Sequence, residues 1–390
     1  MSVFRCRVID IGLGWSAGYL RVRMDDDTPF LSPRQVGARR TILRREPLRS
    51  TELPGPMPPL NLPLLAAGAP VSAELLVLDR VERSTGNGDP FWVLTFGNST
   101  GSLQSAPVWK DNALWLDGVD KGRVVQVIGQ VELYAKTGAR QVKISGPVRV
   151  LPSGTERIDE FLPRVEYATE RLWDALDKLR AAITTPRLTE AVNLFFADDD
   201  FRSRFERTPG AVRGHHAKLG GLLLHVCEVA SIGQQMAKTM RKANIDLVIA
   251  GALLHDVGKV EAYTVDAKGL GYDPRNHLIG HVVLGCLMFS DRVAAARVAG
   301  TCTLTDVQLT ELQHMILSHH GSLEFGSPVQ PMTLEAELLH WADEASAKGD
   351  SMVEALADAE IFTSGDEISS RKAWQLDRRL WRRPFRWDEA

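Results

Sequence analysis

The chain has 390 residues, 44% apolar and 24% charged, enough to bury more than one core at about 100 to 200 residues per domain. A formal net charge of −3 excludes a strong overall field for polyanions, so any contact with nucleic acid must rest on local patches. The four cysteines, Cys6, Cys227, Cys286 and Cys302, are far apart and form no CxxC pair, which argues against a zinc ribbon or a disulfide framework and fits a reducing compartment.

The opening MSVFRCRVID has no apolar signal region, and no run approaches the about 20 apolar residues that span a bilayer. A soluble, cytoplasmic chain with no membrane partner is expected. Residues 1–53 begin strand-like and then turn basic, an N-terminal extension of unassigned function. Residues 54–70 lie in LPGPMPPLNLPLLAAGAP, where dense prolines remove backbone donors and favour extended chain, so they read as a linker.

From 71 to 151 the texture is β. The runs VSAELLVLDRVE, PFWVLTFG, SLQSAPVW, GRVVQVIGQVELYA and RQVKISGPVRVL are five candidate strands, with TGNGD and KTGA as turns. In the fourth, Val125, Val127, Val131 and Leu133 alternate with polar positions, as in a half-buried strand. Five strands predict a small barrel, with the OB-fold leading because its open face takes single-stranded nucleic acid or sugar chains. Such faces use rings for base stacking and cations for phosphates. Trp92, Trp109, Tyr134, Lys136 and Arg140 are the candidates; Phe91 and Trp92 alternate, so at most one of the two is a platform.

Residues 155–390 read as helical. In VEYATERLWDALDKLRAAI, Val165, Ala168, Leu172, Leu176, Leu179 and Ile183 recur at three- and four-residue steps. All ten histidines fall between 215 and 340. His225 is in phase with Val229, Ile232 and Met236 and faces inward. LVIAGALL is apolar all round, so His255 and Asp256 end a buried helix, where a carboxylate is costly unless paired or bound to metal. With His281, His319, His320 and Asp343 they make a nitrogen and oxygen ligand set sized for one or two divalent metals. His215, His216 and Lys218, flanked by glycines, are candidates for lining a substrate channel. His314 reads as packing, His277 as surface, and His340 as a support one turn before Asp343.

The order His225, His255-Asp256, Asp343 resembles the HD superfamily of metal-dependent phosphohydrolases. HHAKLGGLLLH, LLHDVGK, LIGH and LQHMILSHHGSLEFGSPVQPMTLEAELLHWAD further resemble the YhaM-type 3'-5' exoribonucleases, over 71–390 of this chain. The resemblance implies a multidomain chain, an all-β OB-fold barrel followed by an all-α HD domain. It implies a first metal held by His225, His255, Asp256 and Asp343, with Asp256 bridging to a second held by His281, His319 and His320. Manganese (Mn2+) is implied, with magnesium (Mg2+) as substitute. Lys259, the lysine of HDxGK, is placed beside the substrate phosphate, giving Asp256 and Lys259 catalytic roles. The implied activity is 3'-5' exonucleolytic hydrolysis of single-stranded RNA, ahead of DNA, to nucleoside 5'-monophosphates; homo-oligomers are common among such proteins. The alternatives are an HD phosphohydrolase acting on free nucleotides or cyclic dinucleotides, and a non-catalytic adaptor. Residues 1–70 have no counterpart in the resemblance. The ending RKAWQLDRRLWRRPFRW mixes cations and flat rings, a composition that suits single strands.

Overall fold

The computed structural model describes residues 60–135, 138–152, 155–266, 268–358, 361–362 and 365–387. The basic extension, the proline-rich stretch up to 59 and Lys136 lie outside the described residues. The described end of that stretch is not a free linker. Leu62 is buried in the barrel core, and the Leu60 carbonyl accepts from Asn98 Nδ2 at 2.7 Å.

The barrel strands are β1 (Pro70–Ser84), β2 (Pro90–Asn98), β3 (Gly101–Ser105), β4 (Val108–Trp109), β5 (Val124–Leu133), β6 (Arg140–Ile144) and β7 (Arg149–Val150). Around the ring β1 pairs with β2, β2 with β3, β3 with β6, β6 with β5, and β5 returns to β1. The β3–β6 pairing is parallel and the rest antiparallel, so the sheet closes on itself with an OB-like topology and leaves no main edge open. The third predicted run breaks at Ala106-Pro107 and the fifth at Ser145-Gly146-Pro147, because proline cannot donate to a ladder. Val125, Val127 and Val131 point into the core as their alternation requires; Leu133, at the strand end, is exposed.

The second part comprises α1 (Thr169–Ala181), α2 (Pro186–Phe196), α3 (Asp199–Arg207), α4 (Gly221–Met240), α5 (Ile245–Leu254), α6 (Lys259–Ala262), α7 (Pro274–Val298), α8 (Asp306–Ser318) and α9 (Leu334–Ala357). One short hairpin, β8 (Tyr263–Asp266) with β9 (Gly269–Tyr272), interrupts it. α1 starts later than its periodicity suggests, since the Val165 N–H donates to the Leu219 carbonyl instead. α5 is capped by Asn244, whose side chain accepts from the Leu247 N–H, and its residues from Leu247 to Leu254 are all buried. α7 is long and apolar enough by composition to cross a bilayer, which departs from the sequence expectation. It is broken at Gly280, however, and sends Phe289, Val293 and Ala296 into the shared core.

The approach of α6 to α7 depends on Gly258. A Cβ there would stand 2.1 Å from the His281 carbonyl oxygen and 2.4 Å from Gly285 N. Gly258→Ala is therefore expected to force α7 outward and to destabilise the fold by about 1–3 kcal/mol. Denaturant unfolding measures this; an unchanged midpoint would mean that the two backbones are not locked together.

Candidate metal centre

α4 supplies His225, the end of α5 supplies His255 and Asp256, the break in α7 supplies His281, the end of α8 supplies His319 and His320, and α9 supplies Asp343. Residues spread over more than a hundred positions meet around one carboxylate. Asp256 Oδ2 lies 3.3 Å from His225 Nε2 and 3.1 Å from His255 Nε2, and Asp343 Oδ1 lies 3.0 Å from His225 Nε2. Asp256 Oδ1 faces the other way, 3.5 Å from His281 Nε2 and 3.7 Å from His319 Nε2. Among the described residues, three groups have donor atoms close enough to share a cation: His225, His255 and Asp343; His255, Asp256 and His319; and His281, His319 and His320. Asp256 Oδ1, His281 Nε2 and His319 Nε2 are buried without a hydrogen-bond partner among the described residues. Lone pairs left bare in a dry site are what a divalent ion satisfies.

The tautomers are set from behind. His255, His319 and His320 each hold Nδ1 2.7 Å from a backbone carbonyl, of Ala252, Ile316 and Phe325 respectively. Each ring donates there and turns a bare Nε2 toward the centre. His225 Nδ1 lies 3.0 Å from Ser346 Oγ, whose hydroxyl donates to Glu228 Oε2 at 2.7 Å. Ser346→Ala removes the acceptor that orients His225 and is expected to weaken divalent metal binding about 10- to 100-fold with little change in stability. Calorimetric titration with Mn2+ checks this; unchanged affinity would show that His225 needs no such support.

The electrostatics suit ligation. Burial pushes the His281 imidazole down to about 3 and His319 well below its usual value, so both are neutral. Burial alone would raise the Asp256 carboxyl, yet the cations around it, with the Lys259 ammonium in direct contact, hold it well below the usual range. Lys259 is itself buried, with Nζ 2.6 Å from Asp256 Oδ2, and that carboxylate keeps it charged against its burial. It is not a solvated surface lysine.

The other sequence candidates divide. His215 borders the centre, its ring 6.3 Å from that of His225, and burial pushes it down to about 4. His216 is 2% exposed, with Nε2 3.2 Å from Glu228 Oε2 and 3.3 Å from Ser346 Oγ, behind His225. Lys218 turns to Glu354 at 3.0 Å. On the barrel, Trp92 is partly buried against the core and gives its N–H to Glu82. The outward pair is Phe91 with Trp109, ring centroids 5.2 Å apart, with Trp109 half exposed. Tyr134 is exposed, and Arg140 Nη1 donates to the Leu65 carbonyl. His340 Nδ1 donates to the His319 carbonyl at 2.9 Å. His314 accepts from the Met332 N–H, and His277 packs edge-on to Tyr272.

Glu228, Ser346 and Tyr263 are absent from the sequence reading. The first two had a signal, lying three residues after His225 and Asp343 on the same helix faces. Tyr263 had none. It follows α6 onto β8, its ring 6.2 Å from His281, and burial raises its phenol to about 12, so it stays protonated.

The HD domain family model matches residues 222–348, which contain every proposed ligand. The 3'-5' exoribonuclease YhaM of Bacillus subtilis is 29% identical over 291 residues, 74% of this chain and 88% of that protein. The YhaM of Listeria welshimeri is 29% identical over 325 residues, 81% and 96% of the two chains, and that of Oceanobacillus iheyensis 27% over 290 residues, 72% and 85%. With a closed β-barrel ahead of an HD domain, and a likeness running through both, the chain is recognised as a barrel-plus-HD protein similar to the YhaM-type exoribonucleases.

Proposed function

We propose that the chain is a metal-dependent 3'-5' exoribonuclease, which holds single-stranded RNA on its barrel and releases nucleoside 5'-monophosphates at the centre around Asp256. The observation that carries this reading is the two-sided carboxylate of Asp256, with His225 and His255 on one oxygen and His281 and His319 on the other. In the arrangement we infer, His225, His255, Asp256 and Asp343 hold one ion, and Asp256, His281, His319 and His320 a second. Mn2+ fits such a mixed nitrogen and oxygen set, with Mg2+ as substitute. Bound divalent ions supply a nucleophile from water at neutral pH and offset charge on the phosphate.

The chain's own residues do the rest. The backbone carbonyls behind His255, His319 and His320 fix where each ring carries its proton. Asp256 stays ionised beside Lys259, which adds a fixed point cation next to the reacting phosphate. Tyr263 keeps a phenolic proton at the edge of the site. A free nucleotide needs no barrel to hold a strand, so the nuclease reading accounts for more of the chain than the nucleotide-hydrolase alternative. A cytoplasmic location belongs to the same reading.

The test is one assay of the purified chain with Mn2+ on 5'-labelled RNA, on DNA of the same sequence and on free nucleotides. Stepwise shortening of RNA with nucleoside 5'-monophosphate as product is the expected result. Hydrolysis of free nucleotides with intact oligomers would overturn it.

A further inference from the structure

The basic ending is not a loose tail. Ile361, Phe362, Ala373 and Leu380 are buried together with Ala355 of α9, and the Ser369 N–H donates to the Leu380 carbonyl. This folded segment ends in seven cations against one carboxylate over residues 371–387, in a chain whose net charge is −3. Its turn at Trp374-Gln375 lies against the loop that carries His215. A Cβ on Gly214 would stand 2.8 Å from Gln375 Nε2 and 3.6 Å from Trp374 Cη2. A cavity of about 490 Å3 opens there, bordered by Gly214, Arg371, Lys372 and Trp374, with Glu354 and Asp358 on its α9 side. That volume is in the range of pockets that hold small ligands, about 300–1,000 Å3.

Trp374 is 74% exposed. Trp92, Trp173, Trp341 and Trp381 each give their indole N–H to a glutamate. Trp374 has neither such an acceptor nor a ring partner among the described residues. An exposed indole beside cations is a stacking platform with phosphate contacts at hand.

We propose that the C-terminal segment 365–387 is a second strand-binding surface, adjoining the metal centre through Gly214 and His215, on which Trp374 stacks a base of a single-stranded nucleic acid and Lys372, now in an exposed pair with Asp377 at 2.9 Å, exchanges that carboxylate for phosphate. This rests on the exoribonuclease reading. The barrel and this segment then grip one strand at two places. A protein partner is less suited to the surface, because cations outnumber carboxylates seven to one over residues 371–387.

The experiment uses the full chain stripped of metal with EDTA, so that a 5'-labelled oligouridylate is bound and not cut, with fluorescence anisotropy as readout. Trp374→Ala is expected to weaken binding about tenfold, and Trp374→Phe, which keeps a ring, to restore most of it. Lys372→Ala is expected to weaken binding less and to lower the salt slope by about 1. Mn2+ affinity and unfolding midpoint, measured on the same variants, are expected to be unchanged. Full oligonucleotide affinity in Trp374→Ala overturns the proposal. So does a Trp374→Ala variant that keeps that affinity but loses self-association, which would assign the surface to a second copy of the chain. A wild-type chain that binds no oligonucleotide, yet hydrolyses bis-p-nitrophenyl phosphate with Mn2+, sinks the exoribonuclease reading and this proposal together.

Discussion

Asp256→Ala is expected to lower exonuclease turnover by on the order of a thousandfold or more, equivalent to about 4 kcal/mol of lost transition-state stabilisation. Both oxygens of this carboxylate are committed, so its removal takes an anchor from each of the two ligand groups. The variant also strands Lys259, whose buried Nζ has Asp256 as its close partner. Breaking a buried pair by removing one member costs about 3–5 kcal/mol. Asp256→Asn keeps the volume and separates the two effects: it is expected to lose activity just as fully while unfolding closer to the wild type. Single-turnover rates and denaturant unfolding of both variants make the comparison. Activity in either variant within about tenfold of wild type would remove Asp256 from the chemistry.

Acid is expected to destabilise the metal-stripped chain strongly and early. Burial pushes His281 down to about 3 and His319 well below its ordinary value, whereas in the unfolded chain both titrate near about 6.5. Below that pH the unfolded chain takes up protons that the folded chain refuses. Stability that is complete above about 6.5 therefore falls by about 1.4 kcal/mol per pH unit per group. Two groups lose about 4 kcal/mol by pH 5. His225 has the opposite sign. Burial lowers it, but contact with Asp256 and Asp343 outweighs burial and raises it to about 9. Its contribution is complete below about 6.5 and is lost as pH rises through about 9. The Asp256 and Asp343 contributions are lost only below the usual carboxylate range, because both pKa values are lowered. Guanidinium unfolding in EDTA across this range is the measurement. A flat profile between neutrality and pH 5 would mean that these imidazoles are not held neutral in a dry site.

The sequence disclosed the centre because its cost was visible there: a helix apolar from Leu247 to Leu254 and followed by His255 and Asp256 needs something to pair with the carboxylate. The barrel was legible from alternation and turn chemistry, apart from the two breaks that Pro107 and Pro147 impose. What stayed hidden depends on contacts made after folding. Glycines flanking His215 and His216 suggested open backbone, but the His216 N–H donates to Asp350 on α9 and its ring meets Glu228 on α4. Alternation separated Phe91 from Trp92 without saying which faces the core; the closed barrel turns Trp92 inward and leaves Phe91 with Trp109. The end of the proline-rich stretch looked like spacer, yet Leu62 plugs the barrel, a role that composition does not encode.

The central claim is that imidazoles and carboxylates from α4, α5, α7, α8 and α9 converge to hold divalent cations on which the chemistry depends. Elemental analysis on the same sample as the RNA assay tests it most directly, before and after EDTA and after return of Mn2+. One or two divalent ions per chain in the active protein, lost together with activity on stripping and regained together on return, is the result this account expects. Full RNA hydrolysis by a stripped chain that carries no divalent ion would contradict it.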